Sequence, residues 1–278
     1  MDKKGVSEKI FSRLLLPVLM AVVWQMLAIY IDRPMVLPRL ESVGKVLAHP
    51  NTKILITGSL IDNMAISFVR VTCGFFLASA IAIPLGILMG YYRFTERVLE
   101  LTVGSLRPIP PLAWTPMILA WFGIKGLADW FPELSSSAFF GGIQFSMIII
   151  ILIGAFFPIL LNTIHGVKGI PVIFIESART LGSKSFSLLF KVIIPACLPS
   201  ILTGLRIGMG IGWMCLVAAE MMPGSNAGLG YLIWYAYELL RMDIIVAGMI
   251  VIGLIGFIMD WGFRYVERKR FSWVSRMK

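Results

Sequence analysis

The chain has 278 residues, of which 58% are hydrophobic and only 14% are charged, and its mean hydropathy is +0.86. This composition excludes a soluble globular domain and predicts an all-α polytopic membrane protein. The net charge of +10 does not indicate nucleic-acid binding, because the basic residues gather in loops on one side of the predicted spans.

Six hydrophobic stretches predict about six transmembrane helices. They cover residues 14–31, 62–90, 99–122, 139–161, 193–219 and 244–263. We expect the first to be retained, because no small-residue cleavage site follows it. Residues 40–48 predict a short interfacial helix, and Trp130 and Phe131 suit an interfacial position in the loop at 123–138, whose role the sequence does not assign.

The distribution of lysine and arginine predicts the orientation. Sixteen basic residues fall on the side that holds the N-terminus, the loops at 91–98 and 162–191, and the C-terminal tail. Six fall on the other side, and three lie within spans. Because cytoplasmic loops carry the excess of positive charge, both termini are predicted to be cytoplasmic.

Residues 171–195, PVIFIESARTLGSKSFSLLFKVIIP, form the longest polar interruption between spans in the second half of the chain. Pro171 suits the first turn of a helix, and Gly182 suits the left-handed position just past a helix end. Ser183 can cap a second short helix, and Pro195 marks the entry to the next span. The pattern predicts a helix-turn-helix on the cytoplasmic face of the membrane.

Prolines and glycines mark two further features within the spans. Pro108, Pro110 and Pro111 prevent a regular helix in the third span, which favours either a packing kink or the lining of a transport pathway. The small residues Gly204, Gly208 and Gly212 recur every four positions, which allows close helix packing within one chain or between two copies.

Arg206 is a charge near the middle of the fifth span, where a charge is costly and normally faces protein or water. It suits either a stepping point for an anion or a structural ion pair. Glu220 and Asp260 could neutralise it only if neighbouring spans bring them close.

A Glu-Ser-Ala triplet at 176–178, a glycine at 182 and a Val-Ile-Ile-Pro run at 192–195 follow one another in the cytoplasmic loop. This spacing resembles the EAA loop of permease subunits of bacterial ABC importers. In that family the loop docks into a groove of the ATPase subunit. The resemblance implies that the residues coupling the chain to the ATPase are Glu176, Ser177, Ala178, Arg179, Gly182 and Pro195.

Other stretches between residues 60 and 265 resemble the nitrate/sulfonate/taurine/bicarbonate importers. They are the proline-rich third span, Ser67 with Arg70, the run at 203–208, and Ala218-Ala219-Glu220 followed by the Gly-Leu-Gly-Tyr run at 228–231. The candidates for the translocation pathway are Arg206, Arg70, Pro110, Pro111, Trp114 and Glu220.

The resemblance implies a type I ABC importer (MetI-like) permease fold. It divides the chain into an N-terminal cytoplasmic segment, first span and extracytoplasmic connector (residues 1–59), a permease core (residues 60–265) and a basic cytoplasmic tail (residues 266–278). It also implies a bacterial or archaeal cell membrane, a second copy of the chain, two ATPase subunits and an extracytoplasmic solute-binding protein.

The chain itself is not expected to be an enzyme or to hold a cofactor. It has no G-x-x-x-x-G-K-[ST] phosphate loop, so ATP and magnesium are expected on the partner ATPase. Cysteine and histidine spacing predicts no metal site. The alternative is a self-contained secondary carrier or channel for a small anion, which would predict paired inverted repeats with two corresponding broken helices.

Overall fold

The computed structural model describes residues 3–53, 58–126, 129 and 141–270, with side chains from Leu15 onward except that of Ser185. Trp130, Phe131 and the end of the basic tail lie outside the described residues. The helices are α1 (Lys3–Ile31), α2 (Leu40–Ala48), α3 (Leu60–Tyr91), α4 (Arg93–Leu106), a 3-10 turn (Pro111–Trp114), α5 (Thr115–Phe122), α6 (Phe145–Lys168), α7 (Val172–Thr180), α8 (Ser185–Leu188), a π-turn (Leu189–Ile193), α9 (Ile194–Glu220), α10 (Leu229–Glu238) and α11 (Met242–Arg270).

In the described part of the chain, four helices are long and apolar enough to cross a membrane. They are Leu60–Tyr91, Phe145–Lys168, Phe186–Glu220 and Met242–Arg270. Two shorter apolar helices, Leu15–Ile31 and Pro111–Phe122, fall within the first and third predicted spans. The six hydrophobic stretches of the sequence therefore each contain an apolar helix, and the all-α fold is confirmed.

Helices α3 and α6 form the centre of the bundle and run parallel. A Cβ added at Gly74 would meet Ile151, and one added at Gly90 would meet Val167, so the contacts advance in the same direction along both helices. Apolar side chains give no hydrophobic drive for association in lipid, so such close backbone contacts provide the van der Waals attraction between the helices. Two parallel neighbours require the chain between them to cross back.

The returning segment runs from Arg93 to Ile124. Glu96 of α4 forms an ion pair with Lys168 at the C-terminal end of α6. At the other end of α6, the Gln144 side-chain amide donates to the Ile124 carbonyl at 3.0 Å. Helix α4 begins at Arg93, ahead of the hydrophobic stretch that starts near residue 99, and its first turns carry charged residues.

Helix α9 packs antiparallel against α6. Gly212 lies against Ile151 near the start of α6, and Gly204 lies against Asn162 near its end. Helix α11 then packs along α9, where the Trp213 indole donates to the Ile252 carbonyl at 3.3 Å. These packing directions define the two ends of the bundle. One end holds the N-terminus of α6 and the C-terminus of α9, and the other holds the C-terminus of α6 and helices α7 and α8.

Helix α1 is joined to the bundle through α2. The Trp24 indole donates to the Pro38 carbonyl at 3.0 Å, and Gln25 accepts from the Leu40 amide at 2.9 Å. Most of the large apolar side chains of α1 are exposed, as expected of a helix that faces lipid. The short helix predicted at residues 40–48 is confirmed as α2, which buries Val43.

Candidate functional site

The loop at residues 171–195 folds as a helical hairpin. Helix α7 ends at Thr180, and Gly182 follows with φ of +82°, a left-handed conformation that glycine adopts without steric cost. The Gly182 amide donates to the Arg179 carbonyl at 2.9 Å, and the Ser183 amide donates to the Ala178 carbonyl at 3.0 Å. These two bonds form a Schellman motif, which satisfies carbonyls at the helix end.

The predicted helix-turn-helix is therefore present, with small shifts at its boundaries. Helix α7 begins one residue after Pro171, and α8 begins at Ser185, so Lys184 rather than Ser183 precedes the second helix. The Leu188 amide accordingly donates to the Lys184 carbonyl at 2.9 Å.

Most of the predicted coupling residues lie on the outer surface of this hairpin. Glu176, Ser177, Arg179 and Gly182 are exposed, whereas Ala178 packs inward against an apolar cluster that includes Leu188. The hairpin also exposes large apolar side chains, namely Val172, Ile173, Phe174, Leu181 and Phe186. An apolar surface on a segment outside the hydrophobic spans is typical of a protein interface.

Pro195 lies in the first turn of α9, and the hairpin is joined to that helix without a break. The π-turn at Leu189–Ile193 precedes it, and the Ile194 amide donates to the Leu189 carbonyl. Because proline has no N–H, it cannot complete the usual bond to the Lys191 carbonyl. The continuous helix from Phe186 to Glu220 therefore connects the hairpin directly to a membrane span.

A buried ion pair lies at the opposite end of the bundle, where the structure brings Arg70 and Glu220 together. Arg70 Nη1 donates to Glu220 Oε1 at 2.8 Å, and both side chains are fully buried. Arg70 Nη1 also donates to the Ala227 carbonyl at 2.9 Å, and Arg70 Nε donates to the Gly142 carbonyl at 2.8 Å. Its remaining nitrogen donates to Gln144 Oε1 at 3.3 Å.

The Glu220 carboxylate accepts further bonds from α3 and α10. The Ser67 hydroxyl donates to it at 2.8 Å, and the Gly230 amide donates at 3.0 Å. The Leu229 amide donates to the Ser67 hydroxyl at 2.9 Å. A Cβ added at Gly228 would overlap the carboxylate. The Gly-Leu-Gly run therefore allows the start of α10 to approach Glu220 closely, and neither member of the pair reaches the protein surface.

Arg206 has a different partner from the two that the sequence suggested. Its Nη1 lies 3.3 Å from Glu267 Oε2, in the last turns of α11. Glu220 is paired with Arg70, and Asp260 is paired with Arg264 at 2.6 Å. The packing of the spans therefore does not bring Glu220 or Asp260 to Arg206, and α11, which continues beyond the hydrophobic stretch, supplies Glu267 instead.

Gly204, Gly208 and Gly212 all face α6. An added Cβ at Gly208 would lie 2.8 Å from the Ile159 side chain and 3.0 Å from the Ala155 carbonyl. The glycine stripe therefore packs two helices of the same chain.

The proline break separates the remaining pathway candidates. Pro110 precedes the 3-10 turn, and Pro111 lines a cleft together with Arg107 and residues of α6 and α9. Trp114 lines a separate apolar cavity with Leu106 and residues of α3 and α6. Among the described residues, no group of three His, Cys, Asp or Glu side chains could hold a metal ion.

Comparison with known families decides between the interpretations. The family described as binding-protein-dependent transport system inner membrane component matches residues 82–272 of the chain. The chain belongs to this family. It is therefore the permease subunit of an ABC importer and a multi-pass component of the inner membrane. Members of this family are translocation components rather than enzymes. The alternative of a self-contained carrier does not hold.

Several relatives match almost the whole chain. An ABC transporter permease protein of Methanocaldococcus jannaschii is 57% identical, over 99% of this chain and 98% of its own. The aliphatic sulfonates transport permease protein of Bacillus subtilis is 35% identical, over 94% of this chain and 86% of its own. The taurine transport system permease protein of Escherichia coli is 33% identical, over 93% of this chain and 87% of its own.

A solved structure shares the fold. The MetNI methionine ABC transporter, in an inward-facing conformation, contains a chain that superposes with a TM-score of 0.55 at 17% sequence identity. The match covers 75% of this chain and 92% of that one. The MetI-like fold expected from the sequence is confirmed.

Proposed function

We propose that this permease forms the translocation pathway for a small oxyanion-type solute of the nitrate, sulfonate/taurine or bicarbonate class. The observation that carries this proposal is the set of relatives whose names state a substrate. They include the sulfonates and taurine permeases and a bicarbonate transport system permease protein of Synechococcus elongatus, which is 35% identical over 76% of this chain.

We further propose that two copies of the chain assemble with two ATPase subunits and an extracytoplasmic solute-binding protein. Family membership implies ATPase and solute-binding partners. ATP and magnesium belong to the ATPase in this proposal, since the sequence has no G-x-x-x-x-G-K-[ST] phosphate loop. The solute-binding protein contributes to selectivity, and it meets the end of the bundle where Arg70 and Glu220 are buried.

In this proposal, the hairpin formed by α7 and α8 docks on the ATPase. Its exposed apolar side chains and the charges of Glu176 and Arg179 form the contact surface. Movement of the hairpin is transmitted through the π-turn and Pro195 to α9, because one continuous helix connects them. The hairpin and both termini are cytoplasmic, which the excess of basic residues on that side supports.

The division into residues 1–59, 60–265 and 266–278 is part of the proposal. Residues 1–59 contribute α1 and α2, whose contacts with the rest of the chain pass mainly through α2. Residues 60–265 contribute the bundle and the hairpin.

Reconstitution tests the proposed substrate class. The permease, its ATPase and the solute-binding protein encoded beside it are placed in proteoliposomes, and uptake of labelled nitrate, taurine and bicarbonate is measured. We expect uptake of one of these three solutes that requires both ATP and the binding protein. Uptake confined to solutes without an oxyanion group would overturn the oxyanion class while leaving the family membership intact.

A further inference from the structure

An open cleft of about 490 Å³ lies beside the proline break of the third crossing. Its walls are residues 107–111 of the break, residues 153–165 of α6, and Ile207 and Ile211 of α9. The lining part of α6 is about 18 Å long at 1.5 Å per residue. The cleft therefore runs from the middle of the bundle towards the end that carries the hairpin.

Arg107 enters this cleft near half the depth of the bundle. The preceding residue, Leu106, lines an apolar cavity together with Phe156 and Phe157, which are at the middle of α6. Helix α4 ends at Leu106 because the prolines that follow prevent its continuation. The break thus places a guanidinium at a depth where a charged group needs water or a charged partner.

Arg107 is available for such a partner. Among the described residues it belongs to no ion pair, and its side chain makes no hydrogen bond. None of the residues that line the cleft is acidic, and its other polar groups are Asn162 and His165 of α6. The two other intramembrane arginines are already paired, Arg70 with Glu220 and Arg206 with Glu267.

We propose that this cleft is the anion-binding part of the translocation pathway and that Arg107 is its mid-membrane contact for a small oxyanion. The proposal rests on the proposed function, since it takes the transported solute to be an anion. A guanidinium offers paired N–H donors that match a carboxylate, sulfonate or nitrate. Its attraction for an anion is screened less at this depth than in bulk water.

Cysteine labelling tests the charge selectivity of the cleft without knowledge of the substrate. In a variant without the three native cysteines, Ile211→Cys is treated with the anionic reagent sulfonatoethyl methanethiosulfonate and with its cationic trimethylammonioethyl counterpart. Inside-out vesicles present the hairpin side. Ile211 lines the cleft, whereas Phe257, 66% exposed on α11, does not and serves as the control.

Each reagent's rate is divided by its rate with a free thiol. On that scale we expect Ile211→Cys to react faster with the anionic reagent. Phe257→Cys should react with neither, because charged reagents do not enter the lipid that this helix faces. Adding Arg107→Gln should lower the anion-to-cation ratio about fivefold or more, because the attraction of one fixed charge is lost. Arg107→Lys should keep most of the ratio. The matched control Arg264→Gln removes an exposed, paired arginine outside the cleft and should leave the ratio unchanged.

Two outcomes would overturn the proposal. One is that the two reagents react equally fast with Ile211→Cys in protein that retains Arg107. This measurement does not depend on whether the Arg107→Gln variant folds. The other is a ratio that falls with Arg206→Gln and not with Arg107→Gln, which would assign the contact to Arg206. Neither outcome depends on the uptake assay, so failure of this inference is distinguishable from failure of the proposed substrate class.

Discussion

Arg70 and Glu220 are two charges removed completely from solvent, and their hydrogen bonds explain how the fold tolerates them. Taking an ion out of water costs several kcal/mol, which is recovered only when the geometry is good and the remaining donors and acceptors are paired. Here the guanidinium reaches one carboxylate oxygen and three further acceptors, and the carboxylate accepts from Ser67 and Gly230. The pair joins α3 to the ends of α6, α9 and α10.

Removing either charge should destabilise the bundle strongly. We expect Arg70→Gln or Glu220→Gln to cost about 3–5 kcal/mol of unfolding free energy, because each leaves an uncompensated buried charge. The matched control is Arg264→Gln, whose ion pair with Asp260 is largely exposed and should be worth at most about 1 kcal/mol. Unfolding in mixed micelles of increasing SDS content measures the three variants. If the double variant loses as much unfolding free energy as the two single variants added together, direct coupling between Arg70 and Glu220 is contradicted.

The sequence could identify these residues as unusual but could not pair them. An ionisable side chain inside a hydrophobic stretch is rare and therefore visible. Arg70 and Glu220 are separated by 150 positions, and their contact depends on how α3 and α9 pack against α6. Arg206 illustrates the same limit, because its partner Glu267 lies beyond the end of the hydrophobic stretch that defined the sixth span.

Among the elements, the hairpin was the most predictable because its signals are local. Proline before a helix and glycine after one follow from the conformations of those residues alone. The third crossing was predicted to be broken at its prolines, which the structure confirms, and its first helix begins at Arg93, ahead of the predicted hydrophobic stretch. Helix α4 carries charges in its first turns, and its position in the crossing is visible only from the contacts of Glu96 and Leu106 with α6.

Gly182 offers a test of the hairpin that separates backbone conformation from side-chain contact. No atom lies within 4 Å of where its Cβ would be, so a substitution there acts through the positive φ. We expect Gly182→Val to disrupt the turn, since a β-branched residue resists that conformation, and Gly182→Asn to be largely tolerated.

Two quantities are measured: the amount of ATPase that co-purifies with the permease, and the amount of solute taken up per ATP hydrolysed. The Val variant should lose one or both while its membrane spans remain folded, and the Asn variant should keep them. Normal transport by Gly182→Val would remove the hairpin turn from the coupling mechanism.

Two glycines of α9 provide a matched pair for helix packing. Gly208 lies against Ile159 and Ala155, whereas Gly210 has nothing within 4 Å of its added Cβ. We expect Gly208→Ala to lower the apparent melting temperature in detergent, because the added methyl forces α6 and α9 apart. Gly210→Ala should leave it unchanged or raise it, since alanine favours a helix over glycine by about 1 kcal/mol. Equal effects at both positions would contradict the close packing of this face.

At the scale of the whole molecule, the two ends of the bundle have different characters. One end closes around a buried ion pair, and the other carries a hairpin with exposed apolar and charged side chains. The span from Phe186 to Glu220 connects them as one helix. A movement of the hairpin can therefore reach the opposite end through one continuous helix that packs along α6.

Orientation of this bundle in the membrane is the remaining property that charge alone predicts. Lys184 lies in the hairpin and Lys125 follows α5 at the opposite end, and both side chains are exposed. In a variant without the native cysteines, Lys184→Cys and Lys125→Cys should label from opposite sides when an impermeant thiol reagent is applied to whole cells and to inside-out vesicles. We expect Lys125→Cys to label in cells and Lys184→Cys only in vesicles, because the basic loops remain in the cytoplasm. Labelling of both from outside would contradict the crossing by α6, which separates these two positions in the chain, and the reverse pattern would place the hairpin where no ATPase could reach it.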